Sequence, residues 1–131
     1  MIFADTFYFL ALLNQSDAAH GRPRTVSEEL TDPLLTTAWV LTEVGDALAA
    51  PSLRGAFLRL VKTLRSDPNT RIVSPTQTLF DQGLNLYAER PDQNWTLTDC
   101  ISFVVMREHG ITQALTGDRH FVQADFRALL R

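Results

Sequence analysis

The stretch that decides the fold is Ile2-Phe3-Ala4-Asp5-Thr6, at the start of the sequence. Its apolar residues predict a short buried β-strand within Met1–Ala4. The segment Thr6–Asn14 has apolar residues at helical spacing, which predicts a helix directly after the strand. A strand that runs into a helix is the first half of a β–α unit, and Asp5 lies where the strand ends.

The same alternation of short apolar runs and helical patterns continues along the sequence. Short runs bounded by turn residues predict strands, and longer segments bounded by a capping residue, Pro or Gly predict helices. The predicted strands are Leu34–Thr36, Arg71–Ser74, Ile111–Leu115 and Phe126–Leu130. The predicted helices are Ala38–Ala49 capped by Thr37, Leu53–Arg65 capped by Ser52, one from Pro75 to Glu89, Thr98–His109, and a short turn after Asp118. We interpret the polar segment Asp17–Glu29 as a loop. This order predicts an α/β fold, with a mainly parallel central sheet flanked by helices.

Length and composition restrict the class of protein. The sequence has 131 residues without an internal linker, which indicates one domain over residues 1–131. Its only cysteine, Cys100, excludes an internal disulfide and a Cys-based zinc cluster, so a cytoplasmic location is expected. The apolar run Phe7–Leu13 is far shorter than the roughly 20 residues of a membrane span. The net charge of −3 argues against coating nucleic acid by bulk charge, but not against gripping a few phosphates.

Four acids occupy places where chemistry is expected. Asp5 and Asp118 each follow a predicted strand, so both lie at the carboxyl edge of the sheet, where α/β proteins bind ligands. Asp99 lies in the first turn of an apolar helix, and Glu43 borders the apolar face of another. Taken singly, each aspartate could be a helix cap and Glu43 could form a salt bridge.

Considered together, the acids favour a metal site. Clustered carboxylates repel one another and take up protons unless a cation is present. Mg²⁺ and Mn²⁺ prefer such oxygen ligands, and they can activate water and stabilise the leaving oxygen in phosphodiester hydrolysis. A hydrolase acting on a nucleic acid is therefore the function class that these residues favour.

The four acids and the residues around them resemble the PIN-domain family. The resemblance rests on four motifs in the family's order, and its closest form is the VapC-type toxin of a VapBC toxin–antitoxin pair. The motifs are Ile2-Phe3-Ala4-Asp5-Thr6, Thr37-Ala38-Trp39-Val40-Leu41-Thr42-Glu43-Val44, Leu97-Thr98-Asp99-Cys100-Ile101-Ser102-Phe103 and Ala114-Leu115-Thr116-Gly117-Asp118-Arg119-His120-Phe121. They span almost the whole sequence.

The resemblance implies a PIN-like three-layer sandwich that cleaves RNA internally with Mg²⁺ or Mn²⁺. It assigns metal binding and catalysis to Asp5, Glu43, Asp99 and Asp118. It also implies a homodimer and a cognate antitoxin protein that covers the pocket.

Further candidates stand beside these acids. The resemblance suggests that the hydroxyl groups of Thr6, Thr98 and Thr116 orient a carboxylate or a metal-bound water. For Thr6 and Thr98, helix capping is an alternative. Arg119 and His120 follow the last acid and are candidates for binding an RNA phosphate, with a solvated arginine and a packed histidine as the alternatives. Family members often carry Gly where this sequence has Asp125, which leaves the shape of that turn open.

Three other functions fit less well. A catalytically inactive PIN-like module that binds RNA or protein would not need all four acids. A phosphatase with an aspartyl nucleophile would need a second Asp two residues after Asp5, where Phe7 stands. A receiver domain would need a suitably placed lysine, but Lys62, the only lysine, lies in a predicted helix.

Overall fold

The computed structural model describes residues 1–14 and 31–131. Within them lie five strands: β1 (Ile2–Ala4), β2 (Leu34–Thr37), β3 (Thr70–Val73), β4 (Gln113–Leu115) and β5 (Arg127–Ala128). The helices of this part are α1 (Thr6–Leu13), α2 (Ala38–Ala47), α3 (Pro51–Ser66), α4 (Gln77–Glu89), α5 (Leu97–Glu108) and α6 (Arg119–Gln123). The segment Asp17–Glu29, interpreted as a loop from the sequence, lies outside the described residues.

The five strands form one parallel sheet in the order β3-β2-β1-β4-β5. This confirms the prediction of an α/β fold with helices flanking a parallel sheet. Strand β1 is central, pairing Phe3 with Leu35 on one side and with Ala114 on the other. All three residues of β1 are buried, as expected for a parallel strand that is covered on both faces.

The order of the strands creates a switch point beside β1. The chain proceeds from β1 outward to β2 and β3, and then returns to the opposite side of β1 to form β4 and β5. At such a point the connections that leave the two neighbouring strands diverge, which opens a crevice at their carboxyl ends. Asp5 follows β1 and Thr116 follows β4, so both lie at this crevice.

Aromatic packing fixes the helices that border the crevice. The ring of Phe103 on α5 meets that of Phe121 on α6 edge to face, with centroids 5.0 Å apart. Phe121 also lies 6.3 Å from Phe3 on β1, and both phenylalanines of this second pair are fully buried. The central strand, α5 and α6 are therefore held together by one aromatic cluster.

Most predicted helix boundaries agree with the structure to within a few residues, and Thr37 caps α2 as expected by accepting a hydrogen bond from the Val40 N–H (3.1 Å). Ser52 was the wrong cap for α3. That helix already begins at Pro51, because the fixed φ of proline suits the first helical position, where its missing N–H costs nothing.

Helix α4 begins two residues later than the sequence predicts. The predicted helix begins at Pro75, whereas α4 begins at Gln77. Thr76 has an extended backbone, and its hydroxyl accepts the Leu79 N–H over 3.2 Å. This cap fixes the helix start after Thr76, not before it.

No helix within residues 1–14 or 31–131 has the length and apolar character needed to cross a membrane.

Candidate active site

Asp5 leaves β1 at the centre of the crevice and is 4% exposed. It occupies the residue before α1, yet its side chain forms no capping hydrogen bond to that helix. Its Oδ2 instead accepts a hydrogen bond from Thr116 Oγ1 over 3.0 Å. Helix capping, the alternative interpretation from the sequence, therefore does not explain why an acid is buried here.

Thr116 links two of the acids. While its hydroxyl donates to Asp5, its Oγ1 accepts the backbone N–H of Asp118, also over 3.0 Å. Thr116 is fully buried, so this geometry is held by packing on all sides. The carboxylate of Asp5 and the backbone of Asp118 are thus placed by a single side chain at the end of β4.

Asp99 lies in the first turn of α5, and its carboxylate makes two different contacts. In a capping box, the Thr96 hydroxyl accepts the Asp99 N–H (3.0 Å), and Asp99 Oδ2 accepts the Thr96 N–H (3.1 Å). The same Oδ2 lies 2.9 Å from Nδ1 of His120. Asp99 is therefore both a helix cap and a member of the site.

Asp118 and His120 complete this side of the crevice. Asp118 caps α6, its Oδ1 accepting the His120 N–H over 2.9 Å, and the His120 ring approaches the same oxygen at 3.4 Å. One ligand atom from each of Asp99, Asp118 and His120 lies within 4.8 Å of the others. Carboxylates from two different helix starts are thus brought close enough to share a cation.

The local electrostatics oppose three negative charges. Burial, followed by the negative charge of Asp99, raises the pKa of Asp5 from 3.8 to about 7, against the nearby backbone N–H of Thr6 and the hydrogen bond from the Thr116 hydroxyl, which lower it. Burial also raises the pKa of Asp99. No Lys or Arg of the described residues forms an ion pair with Asp5, Asp99 or Asp118. Without a cation, burial and neighbouring charge shift Asp5 and Asp99 toward their protonated forms.

Glu43 stands at the margin of the cluster. It is half-buried on α2, and its Oε1 accepts a 2.6 Å hydrogen bond from the hydroxyl of Thr6. Since Thr6 follows Asp5, the two acids are connected through adjacent residues of α1. The group of ligand atoms within 4.8 Å of one another is formed by Asp99, Asp118 and His120, and it includes neither Glu43 nor Asp5.

The other candidates divide into two kinds. The hydroxyl groups of Thr6 and Thr116 each donate a hydrogen bond to a carboxylate, of Glu43 and of Asp5 respectively. Thr98 does not: α5 begins at Leu97 with Thr96 as its cap, and the Thr98 hydroxyl has no hydrogen bond to the rest of the described chain. Arg119 is exposed and forms no ion pair within residues 1–14 and 31–131, so its role with phosphate stays a prediction.

Sequence reasoning missed the roles of Thr96 and the His120 ring. A signal for Thr96 was present, because Thr96-Leu97-Thr98-Asp99 has the Thr-x-x-acid spacing of a capping box. His120 was considered as a phosphate ligand, whereas its Nδ1 is directed at Asp99. No one-dimensional pattern gives the direction of that ring.

The donor set fits a hard divalent cation. Carboxylate oxygens dominate it, and one cation would offset both the burial and the repulsion from Asp99 that raise the pKa of Asp5. Mg²⁺ and Mn²⁺ prefer such oxygens and retain waters in the remaining positions. Asp99 and Asp118 would hold it, together with Asp5, whose pKa responds to the charges of both.

Comparison with known proteins decides the family. The PIN domain model matches residues 2–127, almost the entire chain.

The chain belongs to the PIN-domain family.

Among its relatives, it is 29% identical over 126 residues to the 23S rRNA-specific endonuclease VapC20 from two strains of Mycobacterium tuberculosis, which covers 96% of this chain and 95% of the relative. The crystal structure of M. tuberculosis VapC20, described as a sarcin–ricin loop cleaving toxin, superposes with a TM-score of 0.88 at 28% identity, covering 96% of both chains. FitAcB from Neisseria gonorrhoeae shares the PIN-domain fold, with a TM-score of 0.68 at 18% identity over 98% of this chain and 96% of that one. These similarities confirm the interpretation of this PIN-domain protein as VapC-type.

Proposed function

We propose that this PIN-domain protein is a metal-dependent endoribonuclease that acts as the toxin of a VapBC-type pair. The observation that carries the proposal is the burial of Asp5 beside Asp99 and Asp118, without a neutralising Lys or Arg among the described residues. Such a cluster costs free energy unless a cation binds. Sites of this kind are therefore built for a ligand, and Mg²⁺ or Mn²⁺ fits the donors best.

The roles of the individual residues follow from their contacts. When bound, the metal would supply polarisation of a water molecule and of the scissile phosphate. Thr116 holds the carboxylate of Asp5 in one orientation, and Thr6 holds that of Glu43. To Glu43, which is half-buried and held by Thr6, we assign the acceptance of a proton from an attacking water.

The substrate and partners are proposed from the similarity to VapC20. RNA is the substrate class, and 23S ribosomal RNA is the first target to test, because VapC20 is specific for it. A cognate antitoxin would hold the enzyme silent in the cytoplasm, where its target lies. We further propose that residues 1–131 form one domain that assembles as a homodimer.

The deciding experiment uses the full chain, purified without a partner. Total RNA and intact ribosomes are incubated with the protein in Mg²⁺, in Mn²⁺ or in chelator. An Asp5→Asn variant tests the site, and Asp46→Asn is the matched control, because Asp46 is an exposed acid on α2.

Discrete cleavage that requires metal, is absent in Asp5→Asn and persists in Asp46→Asn is the expected result. Cleavage that survives in Asp5→Asn would show that a contaminating nuclease is responsible. Absence of both cleavage and metal binding in calorimetry would contradict the proposal in favour of an inactive binding module.

A further inference from the structure

His120 contacts two acids of the site, one through its backbone N–H and one through its ring. Its main-chain N–H donates to Asp118 Oδ1 over 2.9 Å, and its ring Nδ1 lies 2.9 Å from Asp99 Oδ2 and 3.4 Å from Asp118 Oδ1. The side chain is only 18% exposed, so the ring has little freedom to turn away. His120 is thus the residue that connects the start of α5 to the start of α6.

The hydrogen-bond chemistry fixes which ring atom acts. In its ionised form, which is the form that binds a metal, the Asp99 carboxylate only accepts hydrogen bonds, and its Oδ2 already accepts one from the Thr96 N–H. Nδ1 of His120 is therefore the donor in the contact with Asp99. The other ring nitrogen, Nε2, has no hydrogen bond to any residue that the structure describes.

These contacts leave one oxygen free on each acid. On Asp99, Oδ2 carries both hydrogen bonds, and on Asp118, Oδ1 carries the cap of α6. Oδ1 of Asp99 and Oδ2 of Asp118 have no hydrogen bond within residues 1–14 and 31–131. The torsion of a terminal carboxylate is broad on its own, so hydrogen bonds decide which oxygen is presented.

We propose that His120 is a positioning residue: its Nδ1 donor holds Asp99 and its backbone N–H holds Asp118, so that each acid keeps one free oxygen for the metal. The proposal rests on the proposed function and deepens it. It assigns to the ring neither a contact with RNA phosphate nor a bond to the metal. Residues that hold ligands in this way commonly affect metal affinity by about 10- to 100-fold.

The test exploits the geometry of two amides. In His120→Asn the side-chain NH₂ can occupy the place of Nδ1, whereas in His120→Gln it reaches the place of Nε2; His120→Ala removes both. Mn²⁺ affinity is measured by calorimetry without RNA, kcat and KM are measured on cleaved RNA, and melting in chelator reports on the fold. Wild type and Asp118→Asn are the references.

We expect His120→Asn to bind Mn²⁺ nearly as well as the wild type, and His120→Gln and His120→Ala to bind it about 10-fold or more weakly. In the latter two, kcat should fall while KM for RNA is unchanged. Three results would overturn the proposal: wild-type Mn²⁺ affinity in His120→Ala, equal losses in Asn and Gln, or a raised KM in all variants. If the wild type itself neither binds Mn²⁺ nor cleaves RNA, the proposed function fails first, and this assignment with it.

Discussion

The hydroxyl of Thr116 donates a hydrogen bond to Oδ2 of Asp5 over 3.0 Å, and both residues are almost completely buried. This bond joins the carboxyl ends of β1 and β4, the two strands that flank the switch point of the sheet. A single buried hydroxyl thus fixes the orientation of Asp5, the most enclosed acid in the site, relative to the central strands.

Replacement of Thr116 by Val keeps the shape of the side chain and removes this hydroxyl. The Asp118 N–H loses its acceptor, which should lower the free energy of unfolding by about 1 kcal/mol or more. Without the bond the pKa of Asp5 rises, so a cation must displace a proton that is held more tightly. We expect Mn²⁺ affinity, measured by calorimetry, to fall about 10-fold or more.

Thr116→Ser is the matched control for this change. It retains the hydroxyl and loses only a methyl group, so its Mn²⁺ affinity should stay close to that of the wild type. Equal Mn²⁺ affinities in Thr116→Val and Thr116→Ser would mean that the hydroxyl does not orient Asp5.

A second prediction concerns stability and pH in the metal-free protein. The pKa of Asp5 is about 7 in the folded state, raised from 3.8 by burial first and then by the charge of Asp99. Between these values the folded state binds more protons than the unfolded state, so the free energy of unfolding decreases as the pH rises. The contribution of Asp5 is fully present below about pH 4 and is lost above about pH 7.

Urea unfolding in chelator at pH 5 and pH 8 measures this dependence. Asp5→Asn cannot ionise, so it should show a weaker loss between the two pH values and should exceed the wild type in stability at pH 8. Saturating Mn²⁺ should restore wild-type stability at pH 8, because the metal binds the ionised form. Parallel pH curves for wild type and variant would refute the prediction.

The position of Glu43 leads to a graded prediction. Its carboxylate is held by Thr6 and lies outside the group formed by Asp99, Asp118 and His120. Glu43→Gln should therefore weaken Mn²⁺ binding less than Asp118→Asn does, while it still lowers the rate of RNA cleavage. Asp46→Asn, on the same helix and exposed, controls for the loss of one negative charge. If Glu43→Gln abolishes metal binding as completely as Asp118→Asn, then Glu43 is itself a ligand.

The sequence predicted the fold because its signals are local. The apolar run before Asp5, the capping residue Thr37 and the alternation of strands with helices each depend on a few neighbouring residues. Parallel pairing then follows from the covered connections between strands. It also follows that Asp5 and Thr116, at two strand ends, share one edge of the sheet.

The finer geometry of the site depends on tertiary contacts that the sequence does not display. Thr98 stands directly beside Asp99 in the sequence, yet Thr96 is the residue that forms the cap, since the helix starts one residue earlier than predicted. The ring of His120 reaches Asp99, which is 21 positions away. That approach requires α5 and α6 to be packed through Phe103 and Phe121, a consequence of the assembled core.

Asp125 occupies a turn whose backbone favours glycine, the residue that the family resemblance leads us to expect at this position. Its φ is 69°, in the left-handed region that favours glycine, and its side chain is exposed. Asp125→Gly should raise the free energy of unfolding by up to about 1 kcal/mol, because it removes this backbone strain. Asp125→Ala should not raise the free energy of unfolding, since alanine retains the Cβ that disfavours this backbone conformation. Urea unfolding of the two variants measures the difference. A destabilised Gly variant would indicate that the Asp125 side chain stabilises the turn.

Helices α4 and α5 pack closely against each other at Gly83 of α4. A Cβ added there would lie 2.3 Å from Cγ1 of Ile101 and 3.2 Å from the Ile101 backbone, so α4 and α5 would have to separate. Gly83→Ala should lower the free energy of unfolding by about 1–3 kcal/mol, the usual cost of overpacking. Because Ile101 follows Asp99 by two residues, the displacement of α5 should also weaken Mn²⁺ binding.

Gly55 of α3 supplies the matched control, since it is also a helical glycine. It is exposed, and a Cβ there would meet only the mobile end of the Arg59 side chain, at 3.2 Å. Gly55→Ala should therefore stabilise the protein by up to about 1 kcal/mol through helix propensity alone. Urea unfolding and calorimetry on both variants separate the two effects. If Gly83→Ala were as stable as Gly55→Ala, then α5 would not be held in place by its close contact with Gly83. The position of Asp99 on α5 would then not depend on this contact.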